Sequence, residues 1–178
     1  MFKQSGFTLL ETLIAFIVLV FGLLGAVALQ AKAKQATYDA MQRAAALGVA
    51  NDVIERIKAN SEGALAGNYN GNIASSADQA GGYTTCIDSG CSAGQIASFD
   101  IEHWRKSIRA TDNTGSLSDA MICITTAGGA DNLNINVVIS WDSRQKLVAN
   151  ADAGAVKGDC GTNSDSRRVL ALNSFLFV

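Results

Sequence analysis

Residues 7–29 read FTLLETLIAFIVLVFGLLGAVAL, and from Thr12 to Leu29 no residue is charged. The run is Leu, Ile, Val, Phe and Ala, with Gly22 and Gly25 inside it. Its length approaches what a helix needs to cross a bilayer. A short polar stretch, Met1 to Gly6, precedes it, and one acid, Glu11, sits just inside the apolar segment. A carboxylate at mid-membrane costs roughly 2.5–3.5 kcal/mol on insertion scales, and less near an end. Glu11 therefore needs compensation. One route is protonation or snorkelling to the interface. The other is a cation. No Lys or Arg lies within a helical turn of it, so the candidate is a new amino terminus made by cleavage just upstream, on a neighbouring subunit. Buried pairing of that kind makes Glu11 an assembly determinant.

Lys3-Gln4-Ser5-Gly6 followed by Phe7-Thr8-Leu9-Leu10-Glu11-Thr12-Leu13-Ile14-Ala15 resembles the N-terminus of a type IV prepilin. The resemblance implies cleavage between Gly6 and Phe7 by prepilin peptidase and N-methylation of Phe7. It also implies that Glu11, fifth in the mature chain, contacts the Phe7 amine of a neighbour. Two other export readings stay open. Ala26-Val27-Ala28 fits the small-x-small end of an ordinary signal peptide, and the segment also fits an uncleaved single-span anchor. Against the signal peptide stand the acid in the apolar region, the lone Lys3 before it, and a helical pattern that continues past the cut. Charge does not orient the span, because Lys3 precedes it while Lys32 and Lys34 follow. An inward-facing N-terminus rests on the resemblance.

Beyond the apolar run, Met41, Ala44, Leu47, Ala50, Ile54 and Ile57 recur at helical spacing with polar residues mostly between. One unbroken helix from Phe7 to about Asn60 is expected to be roughly 80 Å long at the rise of an α-helix. Its first half would protrude from the head and need lipid or like helices around it. An ordinary core helix after a separate span is the alternative. Many pilins place a proline in this helix, and here only Gly22 and Gly25 could loosen it.

Residues 61–82, rich in Ala, Gly, Asn and Ser, read as a long surface connection. Cys86 and Cys91 flank an Asp88-Ser89-Gly90 turn and are expected to pair. Ser92-Ala93-Gly94-Gln95 fits a capping box opening a short helix to about Arg109, with Ala97, Ile101, Trp104 and Ile108 on one face. Trp104 on that face reads as a core anchor rather than a ligand platform. The segment from Cys91 through Asp100 to Trp104 resembles pilus-modification (PilV-like) minor pilins. Strands are expected at Ala120–Thr126, at Leu133–Trp141 with clean alternation, and at Arg168–Val178, the first two joined through Gly128-Gly129. Lys146–Asp165 reads as a long loop that a Cys123–Cys160 bond would tie to the sheet. Among the possible connectivities of the four cysteines, the sequential one is preferred.

The fold class is α+β and pilin-like: a long N-terminal helix, packed by its second half on a small antiparallel sheet in a disulfide-braced head. The expected organisation is a leader at 1–6, the helix at 7–60 (about 7–30 transmembrane) and an extracytoplasmic head at 61–178. With 178 residues and a net charge of −2, no basic field exists to hold nucleic acid. The sole histidine, His103, offers little for catalysis, and no G-x-S-x-G, G-x-G-x-x-G or Walker pattern occurs. Cys123 and Cys160 are too far apart in sequence for a usual zinc site. Asp152, Asp159 and Asp165 match no calcium loop and read as solvated. Arg167-Arg168 reads as a charge pair at a strand edge. No enzyme, cofactor or metal is expected. The expected function is that of a minor pilin supporting pilus assembly, motility or adhesion. It would pass from the inner membrane to the pilus, with prepilin peptidase and other pilin subunits as partners. A type II secretion pseudopilin is the alternative, and a soluble secreted binding domain a lower one.

Overall fold

The computed structural model describes residues 6–77, 86, 90–113, 116–129, 132–144, 160–162 and 164–177. Residues 1–5, the Asp88-Ser89 turn, most of the Lys146–Asp165 connection with Asp152 and Asp159, and Val178 lie outside them. Two compact units divide the chain, Met1–Ala40 and Met41–Val178. Helix α1, Leu9–Ala59, contributes to both. With no proline and an Ala-rich middle, nothing in its sequence breaks it. Gly22 and Gly25 sit within the helix, with open space around them. In the first unit every described residue up to Thr37 is exposed, including the large apolar side chains from Phe7 to Leu29. The helix is long and apolar enough to cross a membrane.

The second unit is a four-stranded antiparallel sheet in the order β1-β2-β3-β4, overlaid by helices. The strands are β1 Gly71–Ala74, β2 Ser118–Gly128, β3 Asn132–Asp142 and β4 Arg167–Phe177. Helix α2 is Ser61–Leu65 and α3 is Ala93–Asn113. Alternation sends Ile122 and Ile124 of β2, and Leu133, Ile135, Val137, Ile139 and Trp141 of β3, to one face. There they join Ala46, Ala50, Val53, Ile54 and Ile57 of α1 and Ala97, Trp104 and Ile108 of α3 in one core. Full burial of a side chain such as Ile57 stabilises by about 1.5–3 kcal/mol.

The buried stripe of α1 is not the one its largest apolar residues suggest. Gln42, Ala46, Ala50, Val53, Ile54 and Ile57 face inward, while Met41 is 61% and Leu47 43% exposed. Ala46 and Ala50 on that stripe are fully buried. Ala44 and Leu47 instead line a shallow apolar groove with Trp141, Val169 and Leu170.

The expected surface connection at 61–82 holds α2 and the edge strand β1. Composition hid them because long-range bonds, not periodicity, define both. Asn60 caps α2 by accepting from the Gly63 N–H at 3.3 Å, and Asn70 Oδ1 accepts from the Thr126 N–H at 2.6 Å. Ile73 pairs with Ile122 in register. Helix α3 runs past Arg109 to Asn113, since Arg109 is not a frayed end: its Nε donates to the Ser75 carbonyl at 3.1 Å and its Nη2 to that of Ala77.

The cysteines pair as Cys86–Cys91 and Cys123–Cys160. Arg167 is not an edge charge; it is 1% exposed. Its Nε donates to the Thr162 carbonyl at 3.0 Å, its Nη1 to the Asp119 carbonyl at 2.6 Å and its Nη2 to Asp119 Oδ2 at 2.9 Å. Asp119 sits at a bulge opposite β3 with φ 47°, a left-handed conformation that Asp tolerates. Gly161, at φ +87°, passes so close that a Cβ would meet Arg167 Nη2 at 2.7 Å and Ser140 Oγ at 2.9 Å. Disulfide and guanidinium together clasp residues 160–162 and 164–167 to the outer face of the sheet.

Cys160→Ser should lower oxidised-state stability by about 4 kcal/mol on the loop-entropy model and make Cys123 reactive to a thiol reagent. An unreactive Cys123 would contradict the clasp. Arg167→Met, which keeps the bulk, should lower the denaturant midpoint by an amount equivalent to about 2 kcal/mol through three lost hydrogen bonds.

Candidate assembly site

Thr8 caps α1. Its hydroxyl accepts from the Glu11 N–H at 3.4 Å, and its carbonyl accepts from the Glu11 and Thr12 N–H groups at 3.1 and 3.2 Å. Glu11 thus occupies the position that a capping box gives to an acid, in the first turn of α1. The sequence shows this in Thr8-Leu9-Leu10-Glu11, a signal missed when the acid is weighed only against hydrocarbon. The positive helix end contributes about 0.3–1 kcal/mol to a carboxylate there. The roughly 2.5–3.5 kcal/mol of insertion applies at mid-membrane and falls near a helix end, where Glu11 sits.

Phe7 is 82% exposed. Gly6, Phe7 and Glu11 lie together at the start of the chain, whereas the cysteines all belong to the second unit.

Within the second unit a polar network locks the helices. Asp100 of α3, nearly fully buried, accepts from Arg56 Nη1 at 3.0 Å and from the Tyr69 hydroxyl at 2.8 Å. Arg56 Nε also donates to Asp52, and Asp52 Oδ2 accepts from Trp104 Nε1 at 2.9 Å. Asn60 Nδ2 bridges the Tyr69 oxygen and the Ala93 carbonyl at 2.9 and 2.8 Å. Trp104 also lies against the Tyr69 ring, centroids 5.8 Å apart. Burial pushes the Tyr69 phenol well above its usual pKa, and the bond to Asp100 adds to the rise. Burial would lower Arg56, but bonds to Asp52 and Asp100 more than offset that, so its pKa rises. The predicted capping box closes reciprocally: the Ser92 N–H donates to Gln95 Oε1 at 2.9 Å and the Gln95 N–H to Ser92 Oγ at 3.4 Å.

His103 is exposed on α3. Among the described residues no group of three His, Cys, Asp or Glu side chains converges on a metal position.

The profile of the prokaryotic N-terminal methylation motif matches residues 1–27, and that of the type IV pilin Tt1218-like family matches residues 28–102. This chain is a type IV pilin-like protein. The first match spans Gly6, Phe7 and Glu11, and the second spans the rest of α1, α2, β1 and the start of α3 as far as Asp100, stopping short of Trp104. Strands β2–β4 of the pilin-like protein lie beyond both. Searches of curated proteins and of solved structures give no match. Its apolar helix and prepilin-type motif fit a membrane-anchored pilin, and the motif implies a substrate of prepilin peptidase. Type IV pilins are structural proteins rather than enzymes.

Sequence reasoning reached Trp104 but missed Tyr69, Asn60 and Asp52, whose partners are up to 52 residues away in the chain. Asp100→Leu should lower stability by about 2–4 kcal/mol, because it leaves Arg56 and Tyr69 without their buried acceptor. Urea unfolding of the oxidised protein measures it. The raised Tyr69 pKa also makes stability fall as pH climbs above the unfolded tyrosine value of about 10. Tyr69→Phe should flatten that alkaline decline.

Proposed function

We propose that this pilin is a minor pilin of a type IV pilus, of the pilus-modification type, cleaved between Gly6 and Phe7 and methylated at Phe7. It waits in the inner membrane on residues 7–30 of the helix 7–60, with residues 61–178 as an extracytoplasmic head. It then enters the filament or its tip complex beside other pilin subunits, supporting assembly, motility or adhesion. The observation that carries this reading is a membrane-length apolar helix, fully exposed along its N-terminal part, with one acid in its first turn, directly after a prepilin-type Gly6-Phe7 junction. Glu11 pairs with the Phe7 amine of a neighbour. The Cys91–Trp104 segment supports the subfamily.

Intact mass and N-terminal sequencing of protein from membrane and sheared-surface fractions test the processing. The expected chain begins at methylated Phe7, and processing disappears in a strain lacking prepilin peptidase. A start at Leu29 would mean an ordinary secreted domain. Deletion should reduce surface pili and leave type II secretion intact; the reverse pattern would make the protein a pseudopilin. Glu11→Val should be processed normally yet enter filaments about tenfold less, the loss expected for a pair worth about 1.4 kcal/mol. Normal incorporation would eliminate the pairing.

A further inference from the structure

The outer face of the sheet has two halves. At one end Ser140 and Val138 lie under the clasped segment, where Cys160 Sγ approaches the Val138 carbonyl at 3.5 Å. At the other end β3 turns Asn132, Asn134 and Asn136 outward. Directly across, β4 presents Phe177, Phe175 and Asn173, in the register Asn132↔Phe177, Asn134↔Phe175 and Asn136↔Asn173. Phe175 is 53% and Phe177 81% exposed, their rings 5.7 Å apart and tilted.

This is an unusual solvent face for a strand. Asn is depleted in strands because its amide competes with the ladder, and adjacent exposed phenylalanines gain nothing from water. The combination carries chemistry of its own. Asn136 Nδ2 donates to Asn173 Oδ1 at 2.7 Å. Each amide has two N–H donors and a carbonyl acceptor, so the pair retains both kinds of capacity for a group arriving from outside. The cross-strand amides and rings contain no ionisable side chain.

We propose that this amide and aromatic platform binds a neutral polysaccharide. Such a ligand complements the platform in charge, offers C–H faces to Phe175 and Phe177, and presents neighbouring hydroxyls that donate and accept toward the asparagines. Nucleic acid would require cations that the platform lacks, and a charged peptide would require a counter-charge. The proposal deepens the surface role of the head and rests on the minor-pilin reading only in placing the head outside the cell. Binding is measured on purified protein, so its failure and a failure of processing are separate results.

The test uses the full chain, solubilised in a sugar-free zwitterionic detergent, applied to a printed array of neutral, sialylated and sulfated glycans. Hits are titrated against wild type, Phe175→Ser and Asn134→Ala after both variants are shown to keep two disulfides and the wild-type thermal midpoint. Binding to neutral glycans, insensitive to added salt and weakened about tenfold or more by each variant, is the expected result. Absence of any neutral hit overturns the proposal. So does preference for charged glycans, or equal binding by the variants. Sedimentation in which the Phe175 change abolishes self-association without affecting glycan binding would assign the face to a second copy instead, and would equally overturn it.

Discussion

Apolar side chains from Leu9 to Leu29 cannot remain in water, and that constraint organises the protein. Every one of these residues is exposed. Such a surface is buried only against other molecules, and in the proposed function these are lipid and then other pilin subunits. A single acid in such a helix changes the balance between these environments. In the proposed assembly Glu11 meets the amine of a neighbouring subunit, where in lipid it has the helix end and its cap. A pairing of that kind favours the assembly over the membrane.

The second unit solves a different problem, holding a helix whose inner stripe is small and partly polar. Ala46 and Ala50 are fully buried but bury little area each. The network from Asp52 and Arg56 through Asp100 and Tyr69 to Trp104 supplies direction that apolar contact lacks. A buried carboxylate is costly unless its acceptor sites are filled, and Asp100 is filled by Arg56 of α1 and by Tyr69 of the turn before β1. Sliding α3 along α1 would break both bonds together, so the network fixes register.

On the far side of the sheet the clasp of Cys123–Cys160 and Arg167 covers one half and leaves the other to amides and phenylalanines. The left-handed Asp119 and Gly161 belong to the same device, because the guanidinium reaches its three acceptors only where these backbones turn toward it. Covering half of a sheet with a tied segment is also a means of limiting exposed strand surface.

The chain by itself determined the two things written in local pattern. One is the membrane-length helix with its acid, legible because lack of charge over that length has few alternative explanations. The other is the strand alternation of residues 133–141, which placed Ile135, Val137 and Ile139 inward before any partner was known. Local chemistry also disclosed the Ser92–Gln95 box, and the family-like junction at Gly6-Phe7 was readable as a motif. Tertiary structure alone decided which face of α1 is buried, since Met41 and Leu47 outrank Ala46 in hydrophobicity, yet Ala46 is fully buried and they are exposed. It alone placed α2 and β1 in a segment of bland composition, where Asn60 and Asn70 act on partners distant in sequence. It alone turned Arg167 from a surface charge into a buried latch. The physical reason is common to all three: periodicity reports the average environment of a segment, whereas a hydrogen bond or a close backbone approach depends on what the rest of the chain brings to that point.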